Sequence, residues 1–508
     1  MQEQESNHGF SRRSAGILLP VSSLPSPYGI GNFGQDARRW VDFLCEAGQE
    51  YWQILPLTPT GKGDSPYQSI SAFAGNSFFI DFDTLFEEGL LKREEYNRLS
   101  WGHSKRYVDY QMVSKNREKV LRIACSRYKD NASIDEFLSK NPWFEHYSLY
   151  MVIKTAQGLH PWMDWEEPLR NRHPDDIHRI KTRYEEDIRY HAFVQYQFER
   201  QWNALRRYAN DRDIQIIGDI PIYVSLDSAD VWENHDLFQL DDNNIPIEIA
   251  GCPPDFFSTD GQLWGNPLYC WDAMAQTGYE WWTRRLRKSF DLYDVMRIDH
   301  FRGLESYFAI PNLATSAKDG YWKPGPGRDF IDAVERTVHD ASIIAEDLGF
   351  LTDAVIDLLK YSKYPGMKIV QYAFDDRVIG DYSPYKYEAN SVAYTGTHDN
   401  NTVKGWCKSA SQASVRKAMD YMGVRRRRDI PYAMIRLAMQ TGSNLAVIPI
   451  QDWLELGSGA RFNTPSTVGG KNWRWRIKKS EMNHLLAEKI AKMTEMYGRQ
   501  KKKLGGNI

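Results

Sequence analysis

Eight short apolar runs punctuate the chain, at residues 16–20, 51–57, 214–224, 294–301, 342–348, 367–374, 391–397 and 444–450. Between most of them apolar residues recur at helical spacing, at residues 36–47, 279–290, 329–340, 354–361 and 429–440. A strand followed by a helix is the unit of a parallel sheet, because only a crossover long enough to hold a helix brings the chain back to a parallel neighbour. Eight such units predict an α/β fold of the closed (β/α)8 TIM-barrel type. An open doubly wound sheet competes with it, since periodicity carries no information on closure.

One interval breaks the rhythm. Residues 85–208, between the second and third runs, are polar, aromatic and mostly helical in pattern, with Val194, Phe198, Trp202, Leu205 and Ala209 at the spacing of a buried stripe. The expected division is barrel strands one and two in residues 1–84, a large, mostly helical insertion in 85–208, and strands three to eight with a C-terminal extension in 209–508. Residues 239–269, rich in Gly, Pro, Asp and aromatic residues, read as a long irregular loop after the third strand, where barrel enzymes keep functional residues. The stretch after the eighth run falls short of the ~100 residues of a further domain, and the lysines at 501–503 read as a solvated tail.

Charge and cysteine usage narrow the partners. The net charge of −3 comes from intermixed signs, so nothing points to nucleic acid or an anionic membrane surface. Five cysteines, odd in number and without metal or redox spacing, fit a reducing compartment. The first residues lack the basic-then-apolar pattern of a secretory leader, and no apolar stretch reaches membrane-spanning length. A cytoplasmic protein is expected, or a plastid one if a transit peptide has been removed; its oligomeric state is not legible.

Three acidic strand ends carry the chemistry. Arg297 and Asp299 stand two apart on the fourth strand and share a face, so the guanidinium keeps the carboxylate ionised. An ionised Asp at a barrel mouth can attack an anomeric carbon; the plain alternative is a structural ion pair. Glu346 and Asp347 end the fifth strand. Carboxylates at Asp299 and Asp399 would raise Glu346 and hold it protonated as a general acid, although alternation alone cannot say which of Glu346 and Asp347 faces the lumen. At the seventh strand, His398 and Asp399 suit charge-assisted bonds to neighbouring sugar hydroxyls. No short His-x-His or His-x-x-x-His spacing accompanies them, so no metal and no cofactor is expected.

Together these acids resemble the triad of the α-amylase clan of glycosidases. The match narrows at Pro253-Pro254-Asp255-Phe256-Phe257-Ser258 and Gly261-Gln262-Leu263-Trp264-Gly265-Asn266-Pro267, which resemble the signature loop of the amylomaltases, or 4-α-glucanotransferases. Ser65-Pro66-Tyr67-Gln68, Ser71-Ala72-Phe73-Ala74-Gly75-Asn76, Gly218-Asp219-Ile220-Pro221-Ile222-Tyr223-Val224 and Asn472-Trp473 are similar to the same family, from about Gly16 to Arg476. The resemblance implies transfer of α-1,4-glucan segments from a glucan donor to a sugar acceptor by a retaining double displacement. Asp299 is then nucleophile, Glu346 acid/base and Asp399 transition-state stabiliser, with Arg297, His300 and His398 at the same subsite and Asp347 in support. It also places Tyr67, Asp219, Trp264 and Asn463 along the glucan groove. Val224-Ser225 replaces the Asn-His of clan amylases, Phe256 stands where the family often has Tyr, and Ser466 where Gly is common. A retaining α-1,4-glucan hydrolase, a non-catalytic glucan binder, and a barrel enzyme using Thr441-Gly442-Ser443 for a phosphorylated substrate are the alternatives.

Overall fold

A computed structural model describes residues 9–501 except 256, 340 and 379. Phe256, Asp340 and the lysines at 502 and 503 lie outside the described residues.

Eight parallel strands close into a barrel. They are β1 (Ser14–Leu18), β2 (Tyr51–Gln53), β3 (Gln215–Ile220), β4 (Val295–Ile298), β5 (Ser342–Ala345), β6 (Gly366–Ile369), β7 (Ser391–Tyr394) and β8 (Leu445–Pro449). Each pairs with its neighbours in chain order, and β8 returns to β1 with Ser14 opposite Leu445 and Leu18 opposite Pro449. The open sheet is thereby excluded. Seven of the eight strands are shorter than their apolar runs, and β1 equals its run in length but begins two residues earlier, because the runs continue into the loops over the mouth: residues 370–373 turn into a 3-10 helix, and the run at 391–397 leaves the sheet at Tyr394.

The outer helices follow the periodic segments. Helix α1 (Gln35–Glu46) turns Ala37, Trp40, Val41 and Leu44 inward, all fully buried. Helix α2 (Glu185–Asn210) carries the expected stripe, of which Trp202, Leu205 and Ala209 are fully buried. It ends against the barrel: the Trp202 indole donates to the Leu292 carbonyl and stacks obliquely on Phe33. Thus α2 both closes the helical stretch after β2 and serves as the crossover into β3. Helices α3 (Glu280–Leu292), α4 (Gly327–Thr337) and α5 (Asp353–Ser362) precede β4, β5 and β6; α6 (Ile430–Gln440) precedes β8, and α7 (His484–Met496) packs beside α1. Among the described residues only short 3-10 turns lie between β6 and β7.

The stretch 239–269 is not irregular throughout. Its Glu248–Cys252 and Gln262–Pro267 pair antiparallel, and Ser306–Pro311 and Tyr321–Pro324 complete a four-stranded sheet. Ile249, Phe308, Ile310 and Ala317 form a small core of its own. Among the described residues no helix is long and apolar enough to cross a membrane.

Candidate functional site

Register places the first charges. Asp219 on β3 is the lateral partner of Arg297 on β4, and laterally paired residues of parallel strands point to one face. Both are buried, and one Arg297 amino group donates to the two Asp219 carboxylate oxygens at 2.7 and 2.9 Å. Two residues on, Asp299 shares the face, and its carboxylate meets the same guanidinium group at 2.9 Å. One arginine therefore orients two acids, of which Asp219 is enclosed while the Asp299 side chain keeps 26% exposure. Burial works to lower Arg297, but Asp219 and Asp299 outweigh it and hold the guanidinium charged. The Tyr67 hydroxyl donates to Asp219 at 2.6 Å.

Glu346 follows β5 directly and extends the ladder, its backbone N–H bonded to the Ile298 carbonyl at 3.0 Å. The alternation left open by the sequence is resolved by β6. Asp347 turns to that strand, accepting the Met367 backbone N–H at 2.5 Å and facing the Lys368 ammonium at 3.0 Å. Gly366 permits this, since a Cβ there would fall 2.5 Å from an Asp347 oxygen. Glu346 instead turns toward Asp299 and accepts the His300 backbone N–H at 2.7 Å. That bond needs His300 in the left-handed region, φ 50°, a strain of order 1–2 kcal/mol for a residue with a Cβ.

Burial pushes the Glu346 carboxyl well above its ordinary value; Arg297 opposes the shift, Asp299 adds to it, and Asp347 adds a smaller share. The sequence reading named Asp299 and Asp399 as the raising groups. The structure puts burial first and Asp347 in the place given to Asp399. His300 is pushed down to about 3, by burial and then by Arg302, so its imidazole is neutral; its Nε2 is buried and unpartnered.

Asp399 comes from the loop after β7 rather than from the strand. Asp452, after β8, holds the ends of that loop, accepting the Thr395 hydroxyl at 2.6 Å and the Val403 backbone N–H at 2.7 Å. Burial without a cation raises Asp452 to about 6. Within the loop, His398 Nε2 lies 3.3 Å from one Asp399 oxygen and the Asn463 amide donates to the other at 2.6 Å. Burial works against Asp399, yet His398 and Asn463 hold it well below the usual carboxylate range. The Tyr67 ring stacks on His398 at 5.0 Å and 15°, with Trp473 beside both.

The signature loop lies over these groups. Trp264 meets the His300 ring edge to face at 4.9 Å, and the Gln68 amide donates to the Trp264 carbonyl at 3.3 Å. Asp255 fixes the turn below it, accepting the backbone N–H groups of Phe257 and Ser258 at 2.9 and 2.7 Å and the Gln262 amide at 2.7 Å. All ten expected site residues thus belong to one connected set. The sequence reading missed Arg461, which donates to the Asp399 and Asn463 carbonyls; its place two residues before Asn463 was the available signal. It also missed Asp452 and Arg302. Among the described residues no group of three or more His, Cys, Asp or Glu side chains is arranged to hold a metal ion.

A family model described as 4-alpha-glucanotransferase matches residues 19–482. A 4-alpha-glucanotransferase of Clostridium butyricum is 43% identical over 486 residues, 95% of this chain and 100% of that one. A chloroplastic/amyloplastic 4-alpha-glucanotransferase of Arabidopsis thaliana is 40% identical over 500 residues, 96% of this chain and 86% of that protein. Among solved structures, the amylomaltase from Streptococcus agalactiae in complex with acarbose superposes with a TM-score of 0.93 at 38% identity, covering 96% of this chain and 100% of that chain.

Proposed function

The chain belongs to the 4-alpha-glucanotransferase family, and from that premise we propose that its mouth residues transfer α-1,4-glucan segments by a retaining double displacement with Asp299, Glu346 and Asp399 in the three acid roles. The Asp299 carboxylate attacks the anomeric carbon, the bond from that carbon to the departing O4 breaks, and Glu346 gives O4 its proton. A covalent β-glucosyl ester remains. An acceptor 4-hydroxyl then loses its proton to Glu346 as its oxygen displaces Asp299, which restores an α-1,4 bond and both side chains.

The observation that carries this reading is the opposed tuning of two acids around one guanidinium. Glu346 is raised, so it holds a proton to donate, while Asp399 is depressed, so it stays an anion beside a developing oxocarbenium ion. Arg297 supports Asp299 as an oriented anion. His300, neutral and with a free Nε2, offers a hydrogen bond to a sugar hydroxyl, and Tyr67, Asp219, His398, Trp264 and Asn463 complete the groove as binding residues.

Transfer over hydrolysis requires that acceptor sugar reach the ester before water does. The loop fixed by Asp255 and lying over His300 supports that preference by excluding water. Incubation with maltotriose tests the reading: glucose together with a ladder of longer maltodextrins is expected, and shorter sugars alone would contradict it.

A further inference from the structure

The loop from Thr395 to Thr402 carries His398 and Asp399, and the buried Asp452 of the short helix Ile450–Trp453 meets it at both ends. We propose that Asp452 is a positioning residue for transfer: it fixes where the Asp399 carboxylate stands in the cleft without itself touching sugar, an inference that rests on Asp399 acting as transition-state stabiliser.

Three observations carry it. The first is the match of acceptors to donors. Val403 opens the helix Val403–Ser409, so its N–H has no acceptor within that helix, and Thr395 is fully buried. One Asp452 oxygen takes the Val403 N–H at 2.7 Å and the other takes the Thr395 hydroxyl at 2.6 Å. A single carboxylate thus meets one buried donor on each side of the loop, and its removal would leave both unmet.

The second is that the loop is braced internally. Asn400 Oδ1 accepts the Thr397 N–H at 2.8 Å and the Thr397 hydroxyl at 3.0 Å, and the Asp399 N–H returns to that hydroxyl oxygen at 3.3 Å. The Gln371 amide donates to the Asn401 carbonyl at 2.9 Å and closes on Gly396, where a Cβ would fall 2.7 Å from its nitrogen. A tip built this way passes a displacement of its ends on to Asp399, which stands midway between Thr395 and Val403.

The third is that the same connection holds the tip as well as the ends. Beyond Asp452 the chain reaches Asn463, whose amide donates to the Asp399 carboxylate at 2.6 Å and whose N–H donates to the His398 carbonyl at 3.1 Å. The segment after β8 therefore sets Asp399 from two sides, and loss of the Asp452 grip leaves the Asn463 bond on a loop with loose ends. A misplacement of about 1 Å in a group that stabilises a transition state costs on the order of 10²-fold.

Maltotriose transfer by three variants tests the proposal. Asp452→Leu removes both acceptors, and kcat should fall about 10²-fold while KM stays within about threefold. Thr395→Val removes one of the two bonds with little change of shape and should cost about tenfold. Asp452→Asn keeps both, since its oxygen accepts the Val403 N–H and its amide donates to the Thr395 oxygen once that hydroxyl rotates, and should recover kcat to within about fivefold of the unaltered chain. Turnover of α-maltosyl fluoride then separates positioning from general damage. In an Asp399→Asn background, Asp452→Leu should change the rate by less than about threefold, because no carboxylate remains to misplace. The same loss in both backgrounds overturns the proposal, as does Asp452→Asn as impaired as Asp452→Leu. So do folded Asp452→Leu and Thr395→Val variants with kcat within about threefold of the unaltered chain. Near-normal turnover by Asp399→Asn alone removes the role of Asp399, and the proposal with it.

Discussion

Two buried arginines close the two ends of one barrel, and they do so in opposite ways. At the floor, Arg499 donates five bonds of 2.8–3.3 Å to the carbonyls of Ser14, Met439, Thr441, Ser443 and Asn444. Among the described residues no carboxylate joins it, and burial lowers its pKa to about 9. At the mouth, Arg297 bonds two carboxylates and is held charged by them. The floor is a plug that satisfies backbone groups. The mouth gathers acids whose mutual repulsion and burial are left unrelieved, notably at Glu346, which is the arrangement an acid/base pair requires and a stability optimum avoids.

If that contrast is right, changes at the mouth cost activity and changes at the floor cost stability. The largest effect belongs to Asp299→Asn, expected to lower kcat for transfer by about 10⁴-fold or more with the circular dichroism spectrum unchanged. Glu346→Gln should lose about 10²–10⁴-fold. Near-normal transfer by either variant would remove that assignment. Arg297→Met should lose activity and about 3–5 kcal/mol of stability in denaturant titration, since Asp219 would be left enclosed and unpaired. Arg499→Met should cost about 3 kcal/mol or more through its orphaned carbonyls and leave kcat/KM of the folded fraction at the unaltered level. Equal losses of activity in the two arginine variants would dissolve the contrast.

The smallest effect sharpens it most. A carboxyl whose folded pKa is raised costs the native state stability once pH exceeds its unfolded value, because the unfolded chain sheds a proton that the site retains. Glu346→Gln removes that cost, so its melting temperature should exceed that of the unaltered chain near pH 7 and match it near pH 3. Asp399 runs the other way: its depressed value contributes stability that is present above the ordinary carboxylate range and lost only as pH falls below it. The alkaline limb of kcat/KM therefore follows Glu346 deprotonation, and should vanish in Glu346→Gln.

The barrel was legible because its units repeat, and a repeated strand and helix pattern has one common closed solution. The small sheet was not. Its strands are four to six residues long, and the one at 248–252 includes Gly251 while that at 262–267 includes Gly265, so no period reaches significance. At the site, the spacing of Arg297 and Asp299 on a strand foretold their shared face. The choice between Glu346 and Asp347 could not be foretold, since it depends on Met367 and Lys368 of the neighbouring strand. Tyr67 and Asn463 were legible only through resemblance, because each reaches the cleft from a loop with no periodicity. Arg499 gave no signal, sitting beside a lysine run that reads as solvated tail.

The assignment of the three acids is tested most directly by trapping the intermediate. Glu346→Gln incubated with α-maltosyl fluoride, whose leaving group needs no acid, should accumulate a maltosyl ester that peptide mapping by mass spectrometry places on Asp299. An adduct on another carboxylate, or turnover without any adduct and with inversion at the anomeric carbon, would contradict it.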